Sequence, residues 1–188
     1  MRTKLTLALA ACAALCASSG ALAQSSDTKS PSTKNEQKKS SLDRADRRHF
    51  RDIAQANMAE VQAGKVAQTK ASSDEVKKFA QHMVDDHSKM LKEQETMAQS
   101  KGVALPKEAS KAEKSALKKL QSASGAQFDK SYMQQMVKDH QKALKLVQDT
   151  AKSAKDPELK QAAEQAAPEI QKHLDEAKEI AGKTSQSG

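Results

Sequence analysis

The amino-acid sequence predicts an all-α protein, and three features of its composition support that prediction. Only 2% of its 188 residues are aromatic and none is tryptophan, whereas strands favour aromatic and β-branched residues. Six glycines and four prolines are too few for the many turns of a sheet protein. Apolar residues instead recur at helical spacing. We therefore expect an antiparallel up-down four-helix bundle, with a short extra helix in its middle connection.

Residues 1–23 have the pattern of a secretory signal peptide. Arg2 and Lys4 precede an apolar run over 5–15, and Ala21-Leu22-Ala23 provides a cleavage site of small residues. The run is too short to anchor the chain across a bilayer, so no transmembrane segment is expected in the mature chain. A periplasmic or secreted protein is predicted, with an association with the cell envelope as a further expectation.

Both cysteines of the chain, Cys12 and Cys16, lie in this segment. Cleavage after Ala23 leaves no thiol, which excludes disulfides and thiol chemistry in the mature protein. It also lowers the net charge from +8 to +6 over 165 residues, because two basic residues and no acidic one are removed. Leu9-Ala10-Ala11-Cys12 resembles a bacterial lipobox, so the alternative is a lipoprotein anchored at Cys12.

The remaining chain divides into a linker, a domain and a tail. Residues 24–41 are rich in Ser, Lys and Gln and contain no large apolar side chain, so they are predicted to be a disordered linker. The helical domain is expected over 42–182. Residues 183–188 are expected to fray.

The first two long helices are predicted before residue 106. Over 42–70 the helical spacing is set by Phe50, Ile53, Ala54, Val61, Gly64 and Ala67. A capping box, Ser72-x-x-Glu75, begins the second long helix, and Gly102 and Pro106 end it. Its apolar stripe consists of Val76, Phe79, Met83, Met90, Leu91 and Met97.

Two more long helices follow a short amphipathic helix at about 109–120. Ser124-x-x-Gln127 is predicted to cap the third, and Asp156-Pro157 to begin the fourth, which Pro168 should kink. The stripe of the third helix, predicted to be buried, is Phe128, Tyr132, Met136, Leu144 and Val147; that of the fourth is Leu159, Ala163, Ala166, Ile170, Leu174, Ala177 and Ile180. The short links near 71–73 and 155–156 predict antiparallel hairpins.

Each long helix carries one polar residue on its apolar stripe. The four are Glu60, His87, His140 and His173. Counted from the hairpin links, they lie within about one helical turn of the same height, so we expect them to converge in the core. A shared metal ion and a hydrogen-bonded polar network are the two alternatives. Asp85, Asp86 and His82 lie off the stripes and are expected to face solvent.

The second and third long helices also resemble each other. Residues 79–91 align without gaps to residues 132–144, and seven of the thirteen positions are identical. The identities include the pair His87 and His140 and the pair Asp86 and Asp139. We interpret this as one local constraint acting on two facing helices.

These motifs together resemble a known family. They are Asn57-x-x-Glu60, Phe79-Ala-x-x-Met83-Val-x-Asp-His87, Gly102-Val-x-Leu-Pro106, Phe128-Asp-x-x-Tyr132 with His140, and Leu159 through Pro168 to His173-Leu174. Over about 43–181 the sequence resembles the secreted bacterial ferritin-like family catalogued as domain of unknown function 4142. The resemblance implies an exported, ferritin-like helical bundle of the periplasm or outer membrane, with no established activity.

One departure from ferritins bears on the metal. Ferritin di-iron sites use Glu-x-x-His pairs, whereas the residues three before the histidines here are Val84, Val137 and Ile170. Di-iron chemistry is therefore not expected. A histidine-rich set suits copper, zinc or nickel, and Met83 and Met136, one turn before two of the histidines, would add soft ligands for copper(I).

The expected function is that of an exported non-catalytic protein that binds a transition metal for storage, buffering or stress protection. The alternative is a metal-free structural or interaction module of the envelope with a polar core network. An enzyme is not expected, because no Ser-His-Asp arrangement or acid/base pair is present. Nucleic-acid binding is not expected either, because the small basic excess is intermixed with acidic residues and aromatic residues are few.

The signal-peptide assignment predicts the mass of the exported protein. Intact-mass spectrometry of the protein from an expressing bacterium should give a chain that begins at Gln24, since the small residues at 21–23 suit a signal peptidase. A mass that matches a lipidated chain beginning at Cys12 would overturn cleavage after Ala23 in favour of the lipoprotein.

Overall fold

The computed structural model describes residues 40–186, which form five α-helices and no strand. The helices are α1 (Arg44–Lys70), α2 (Asp74–Lys101), α3 (Lys111–Gln121), α4 (Gly125–Ser153) and α5 (Pro157–Gln186). The all-α class is therefore confirmed for this part of the chain. The predicted signal peptide and residues 24–39 of the predicted linker lie outside the described residues. None of the described helices is long and apolar enough to cross a membrane.

Two predicted helix boundaries agree with the structure. Gly102 ends α2 in the left-handed conformation, with φ of 64°, which costs glycine little because it has no Cβ. Asp156 precedes α5, and its Oδ1 accepts the backbone N–H groups of Glu158 and Leu159 at 3.1 and 3.0 Å. These bonds satisfy donors that the first helical turn leaves free.

Two predicted caps differ from the structure. Ser73, not Ser72, caps α2, and its Oγ accepts the backbone N–H of Val76 at 3.4 Å. Ser72 is held elsewhere, because its hydroxyl donates to the carboxylate of Asp129. Ser124 stands at the N-cap of α4, but its side chain makes no capping hydrogen bond.

A capping box that was not predicted from the sequence begins α3. The backbone N–H of Ser110 donates to Glu113 Oε2 at 2.7 Å, and that of Glu113 donates to Ser110 Oγ at 3.3 Å. This reciprocal pair stabilises the start of an 11-residue helix that is too short to be stable alone.

The tail predicted to fray over 183–188 is helical as far as Gln186. Lys183 explains this extension, because its Nζ lies 2.6 Å from Glu75 Oε1 and 2.8 Å from Glu179 Oε1. The first of these contacts ties the end of α5 to the start of α2.

The short links produce two helical hairpins, α1 with α2 and α4 with α5. In the first, Gln68 bonds Gln81 near the link, and Asn57 bonds Gln94 farther from it, both at 3.0 Å. Gly64 allows a close approach between them, because a Cβ at this position would lie 2.8 Å from Val84 Cγ2.

Contacts between the hairpins set their relative directions. His49 near the start of α1 lies 3.3 Å from Ser153 at the end of α4, while Ser72, just after α1, bonds Asp129 near the start of α4. The two helices are therefore antiparallel. Since α1 is also antiparallel to α2, helices α2 and α4 run in the same direction.

This order corrects the simple alternation of directions expected for an up-down bundle. The middle connection leaves α2 with Val103 packed near Leu42 and Phe50, at the start of α1. It returns with Leu120 packed near Ala71, at the opposite end of α1. The connection that contains α3 therefore travels the length of the helices before α4 begins.

Two buried aspartates hold the hairpins in register. Asp129 of α4 accepts the backbone N–H groups of Ser72 and Ser73, at 3.0 and 2.9 Å, in the link of the first hairpin. Asp46 of α1 accepts those of Lys155 and Asp156, at 3.2 and 2.9 Å, in the link of the second. Each hairpin thus satisfies backbone donors in the turn of the other.

The core follows most of the predicted stripes. On the stripes of α2 and α4, Phe79, Met83, Phe128, Tyr132 and Met136 are fully or almost fully buried. Leu144, which was also expected to be buried, is only partly buried, at the edge of a smaller cluster in which Val147 is buried.

The reciprocal aspartates predict a large loss of stability when one is removed. Asp129→Ala should lower the free energy of unfolding by about 3 kcal/mol, because the buried N–H donors of the first link lose a charged acceptor. Urea unfolding of the full chain measures this change.

The exposed Asp85→Ala variant of α2 is the control and should leave the free energy of unfolding nearly unchanged. Equal losses in the two variants would show that Asp129 does not hold the link.

Candidate metal centre

The structure brings together three of the four polar residues predicted to face inward. His87 on α2, His140 on α4 and His173 on α5 are 2%, 1% and 3% exposed. One ring nitrogen from each lies within 4.8 Å of the others, and their ring centroids are 5.4 to 5.6 Å apart. We call these three residues the histidine cluster.

Two rings of the cluster are oriented by acceptors outside it. The Nδ1–H of His140 donates to the backbone carbonyl of Met136 at 2.9 Å. The Nε2–H of His173 donates to Asp86 Oδ2, also at 2.9 Å. A carbonyl and a carboxylate only accept, so these bonds place the ring proton on the nitrogen that points away from the cluster.

The third ring, that of His87, is held by an amide. Its Nδ1 lies 2.9 Å from Asn57 Oδ1, and Asn57 Nδ2 donates to Gln94 Oε1 at 3.0 Å. The bond to Gln94 orients the amide so that its oxygen faces the ring. His87 therefore carries its proton on Nδ1.

The other nitrogen of each ring has no hydrogen-bond partner within residues 40–186. These atoms are His87 Nε2, His140 Nε2 and His173 Nδ1, and all three are buried. Each carries a lone pair, and leaving one such acceptor unsatisfied in a protein interior costs about 1–3 kcal/mol. Three lone pairs at one place in the core are the feature of this site that a metal ion would satisfy.

Burial keeps two of these imidazoles neutral at pH 7. Desolvation lowers the pKa of His87 well below its usual range, and the neighbouring His140 and His173 lower it further. Desolvation likewise lowers the pKa of His140 to about 4, against the opposing effect of its bond to Met136. A neutral imidazole is the form that binds a metal ion.

The cluster fits a small transition-metal ion. Metal–nitrogen bonds of about 2.0 Å place the ligand atoms about 3.4 Å apart, so the rings would need to close by at most about 1.4 Å from their present limit. Neutral nitrogen donors suit copper, zinc or nickel, whereas magnesium and calcium require oxygen donors.

The structure does not place Glu60, the fourth predicted residue, with the histidines. Its carboxylate is not part of the 4.8 Å set among the described residues. Although it is buried, it lines a separate cavity beside Glu113 of α3 and Asp139 of α4. The stripe of α1 faces both the core and α3, so the phase of Glu60 alone did not determine its partners.

Met83 and Met136, the predicted soft ligands, lie in the apolar core with Phe79 and Tyr132. The backbone carbonyl of Met136 orients His140. Ligation of a metal by either sulfur stays a prediction.

Two residues that orient the cluster were not identified from the sequence. Asp86 was expected to face solvent; its side chain is 42% exposed, yet it binds His173. Its alignment with Asp139, beside the second histidine, was a usable signal. Asn57 lies one turn before Glu60 on the same face of α1, and this spacing was the signal that could have identified it. His82 and Asp85 are exposed, as expected.

The family model described as Domain of unknown function (DUF4142) matches residues 29–180, which is most of the chain. No curated protein sequence matches it.

Three solved structures resemble this fold. The DUF305 fragment from Deinococcus radiodurans has a TM-score of 0.68 at 13% identity and covers 76% of this chain and 98% of its own. CopM in the Cu(II)-bound form has a TM-score of 0.63 at 19% identity, with coverage of 73% and 96%. CopM in the Cu(I)-bound form has a TM-score of 0.59 at 20% identity, with coverage of 71% and 93%. At such identities the likeness concerns the fold.

The lowered pKa values predict that acid destabilises the metal-free protein. Below about pH 6.5 the unfolded chain binds protons that His87 and His140 do not bind when folded, so stability falls as the pH drops towards about 4. The contribution of His140 alone should make the free energy of unfolding, measured in urea, about 2–3 kcal/mol lower at pH 4.5 than at pH 7.

His140→Gln should remove this part of the pH dependence, whereas His82→Gln, at an exposed position, should keep it. The same pH dependence in His140→Gln and in the unaltered protein would contradict the assignment.

Proposed function

The chain belongs to the DUF4142 family, and we propose that it is an exported, non-catalytic protein that binds a copper ion through His87, His140 and His173. The observation that supports this proposal most directly is the set of three buried ring nitrogens without hydrogen-bond partners. Storage, buffering or protection against metal stress is the role that such a site suits.

The alternative, a metal-free polar network, is disfavoured by the positions of the ring protons. Each ring donates outward, to Asn57, Met136 or Asp86, so each presents only a lone pair to the other two. Three acceptors do not hydrogen-bond one another. A cation satisfies all three at once, and the outward bonds then serve as the outer contacts that metal-bound histidines usually make.

Copper is the metal that we propose, with zinc as its competitor. Affinity for nitrogen sites rises to a maximum at Cu²⁺ in the first-row series. CopM, which shares the fold, was solved in Cu(II)-bound and Cu(I)-bound forms. Met83 and Met136, each one turn before a ligand histidine, supply polarizable sulfur near the site if the core adjusts to Cu(I).

A non-catalytic role follows from how closed the cluster is. The three histidines are at most 3% exposed, whereas catalytic metal sites keep an open position for water or substrate. The chain also lacks the Glu-x-x-His pairs of di-iron enzymes. Holding and releasing an ion is the chemistry that remains.

For the architecture we propose a ferritin-like four-helix bundle of α1, α2, α4 and α5. Two hairpins joined by one long crossover are the arrangement of ferritin-like folds. The antiparallel pairing of α1 with α4 and the lengthwise course of α3 support this topology.

We propose that the predicted signal peptide at 1–23 directs export, so that the protein lies in the periplasm or outside the cell. The lipidated form anchored at Cys12 is the alternative. After cleavage at Ala23 the chain has no thiol, so histidine and methionine are its nitrogen and sulfur ligands for copper.

The proposal predicts one copper ion per chain at the histidine cluster. Titration with Cu(I) and Cu(II), checked by elemental analysis, should give that stoichiometry, and His140→Ala or His173→Ala should abolish it. Copper should raise the melting temperature of the unaltered protein, because a ligand at about 1,000 times its Kd adds about 4 kcal/mol of stability. The two variants should lose this increase.

His49→Ala and His82→Ala are matched controls, since these histidines lie outside the cluster. Both should bind copper as the unaltered protein does. Full copper binding by His140→Ala would contradict the proposed site. Preferential binding of zinc in a competition with copper would change the assigned metal but not the assigned ligand residues.

A further inference from the structure

A second buried polar site lies on the other side of α4 from the histidine cluster. Glu60 is 6% exposed, and its Oε2 has no hydrogen-bond partner within the described chain. It lines a cavity of about 130 Å³ between α1, α3 and α4. Glu113 and Asp139 line the same cavity, so three carboxylates surround it.

Acidic residues outnumber basic ones in the lining of this cavity. Burial raises the pKa of Glu60 well above its usual range, and the charges of Asp139 and Glu113 raise it further. Lys142 also lines the cavity, but its side chain is 76% exposed and its Nζ lies 3.4 Å from Asp139. The ammonium therefore sits at the solvent rim, and Glu60 has no ion-pair partner among the described residues.

We propose that this cavity is a cation site separate from the histidine cluster, and that it takes a partly hydrated divalent ion of the oxygen-preferring class, such as Mn²⁺. Carboxylate oxygens of Glu60, Glu113 and Asp139, with the amide of Gln135, supply the donors that such ions prefer.

The spacing of the carboxylates explains why the ion keeps water. Among the described residues, these three carboxylates are not a set whose oxygens meet within 4.8 Å, so they do not form a tight chelate. Glu113 also accepts the backbone N–H of Ser110, and Asp139 accepts from Gln135. A cavity of about 130 Å³ holds an ion with several waters, since one water needs about 10–15 Å³ of such volume.

Tyr132 provides a spectroscopic reporter for this site. Its hydroxyl is buried without a hydrogen-bond partner in the described region; burial raises its pKa well above the usual range, and the charge of Glu60 raises it further. Tyr132 lies three, four and seven residues before Gln135, Met136 and Asp139, which line the cavity, so it is on the same face of α4. The chain has one tyrosine and no tryptophan. Terbium, an oxygen-preferring ion, luminesces when an excited aromatic ring nearby transfers energy to it, so Tyr132 is the single sensitiser.

The test is terbium titration of the full chain with excitation of tyrosine. The unaltered protein should show saturable sensitised emission, which Mn²⁺ displaces. Glu60→Gln should weaken terbium affinity by about tenfold or more, since removal of a supporting group alone costs 10–100-fold. Glu113→Gln should also weaken it, and this variant keeps the capping box because glutamine serves there too.

The exposed Glu164→Gln variant is the matched control and should bind terbium unchanged. Circular dichroism establishes that each variant is folded. Absence of saturable emission from the unaltered protein, unchanged affinity in Glu60→Gln, or an equal loss in Glu164→Gln would overturn the proposal.

This site and the copper site can fail independently. His140→Ala should keep terbium binding, and Glu60→Gln should keep copper binding. Loss of terbium emission in both Glu60→Gln and His140→Ala would mean a single shared site, which also overturns the proposal of a separate one.

Discussion

The rest of the structure depends on two buried aspartates, each of which binds the link of the other hairpin. Asp46 lies near the start of the first hairpin and Asp129 near the start of the second, and each accepts backbone N–H groups in the link of the other hairpin. Because a charged acceptor buried against fixed N–H groups tolerates little displacement, the two hairpins share one register. That register brings the middle of α2 to the same level as the middles of α4 and α5, where His87, His140 and His173 meet.

The histidine cluster is energetically unfavourable without a bound cation, and the surrounding residues hold it in place. Three lone pairs face one another in an apolar core, and burial lowers the pKa values of His87 and His140, so these two rings stay neutral at pH 7. The outward bonds of the rings to Asn57 and Asp86 keep them from rotating away. Such an arrangement is costly in a metal-free core and favourable around a cation, which is why we interpret it as a binding site.

Two kinds of polar site share α4 because neighbouring residues of a helix point in different directions. His140 faces α2 and α5, whereas Asp139 lines the cavity beside Glu60 and α3. The first environment offers imidazole nitrogen donors and the second offers carboxylate oxygen donors, so they select different classes of ion. The short helix α3 thus has a role beyond bridging, since it contributes a wall and one carboxylate to the second site.

The sequence by itself determined the helical class, most helix boundaries and the inward phase of the histidines, because these depend on local propensity and on the 3.6-residue period. Only the tertiary structure decided that α2 and α4 run in the same direction, that Glu60 turns towards α3, and that Asn57 and Asp86 orient the rings. Periodicity identifies which face of a helix is buried, but not which neighbour that face meets. That choice depends on contacts between residues far apart in the chain, such as those of Asp46 and Asp129, which no local pattern records.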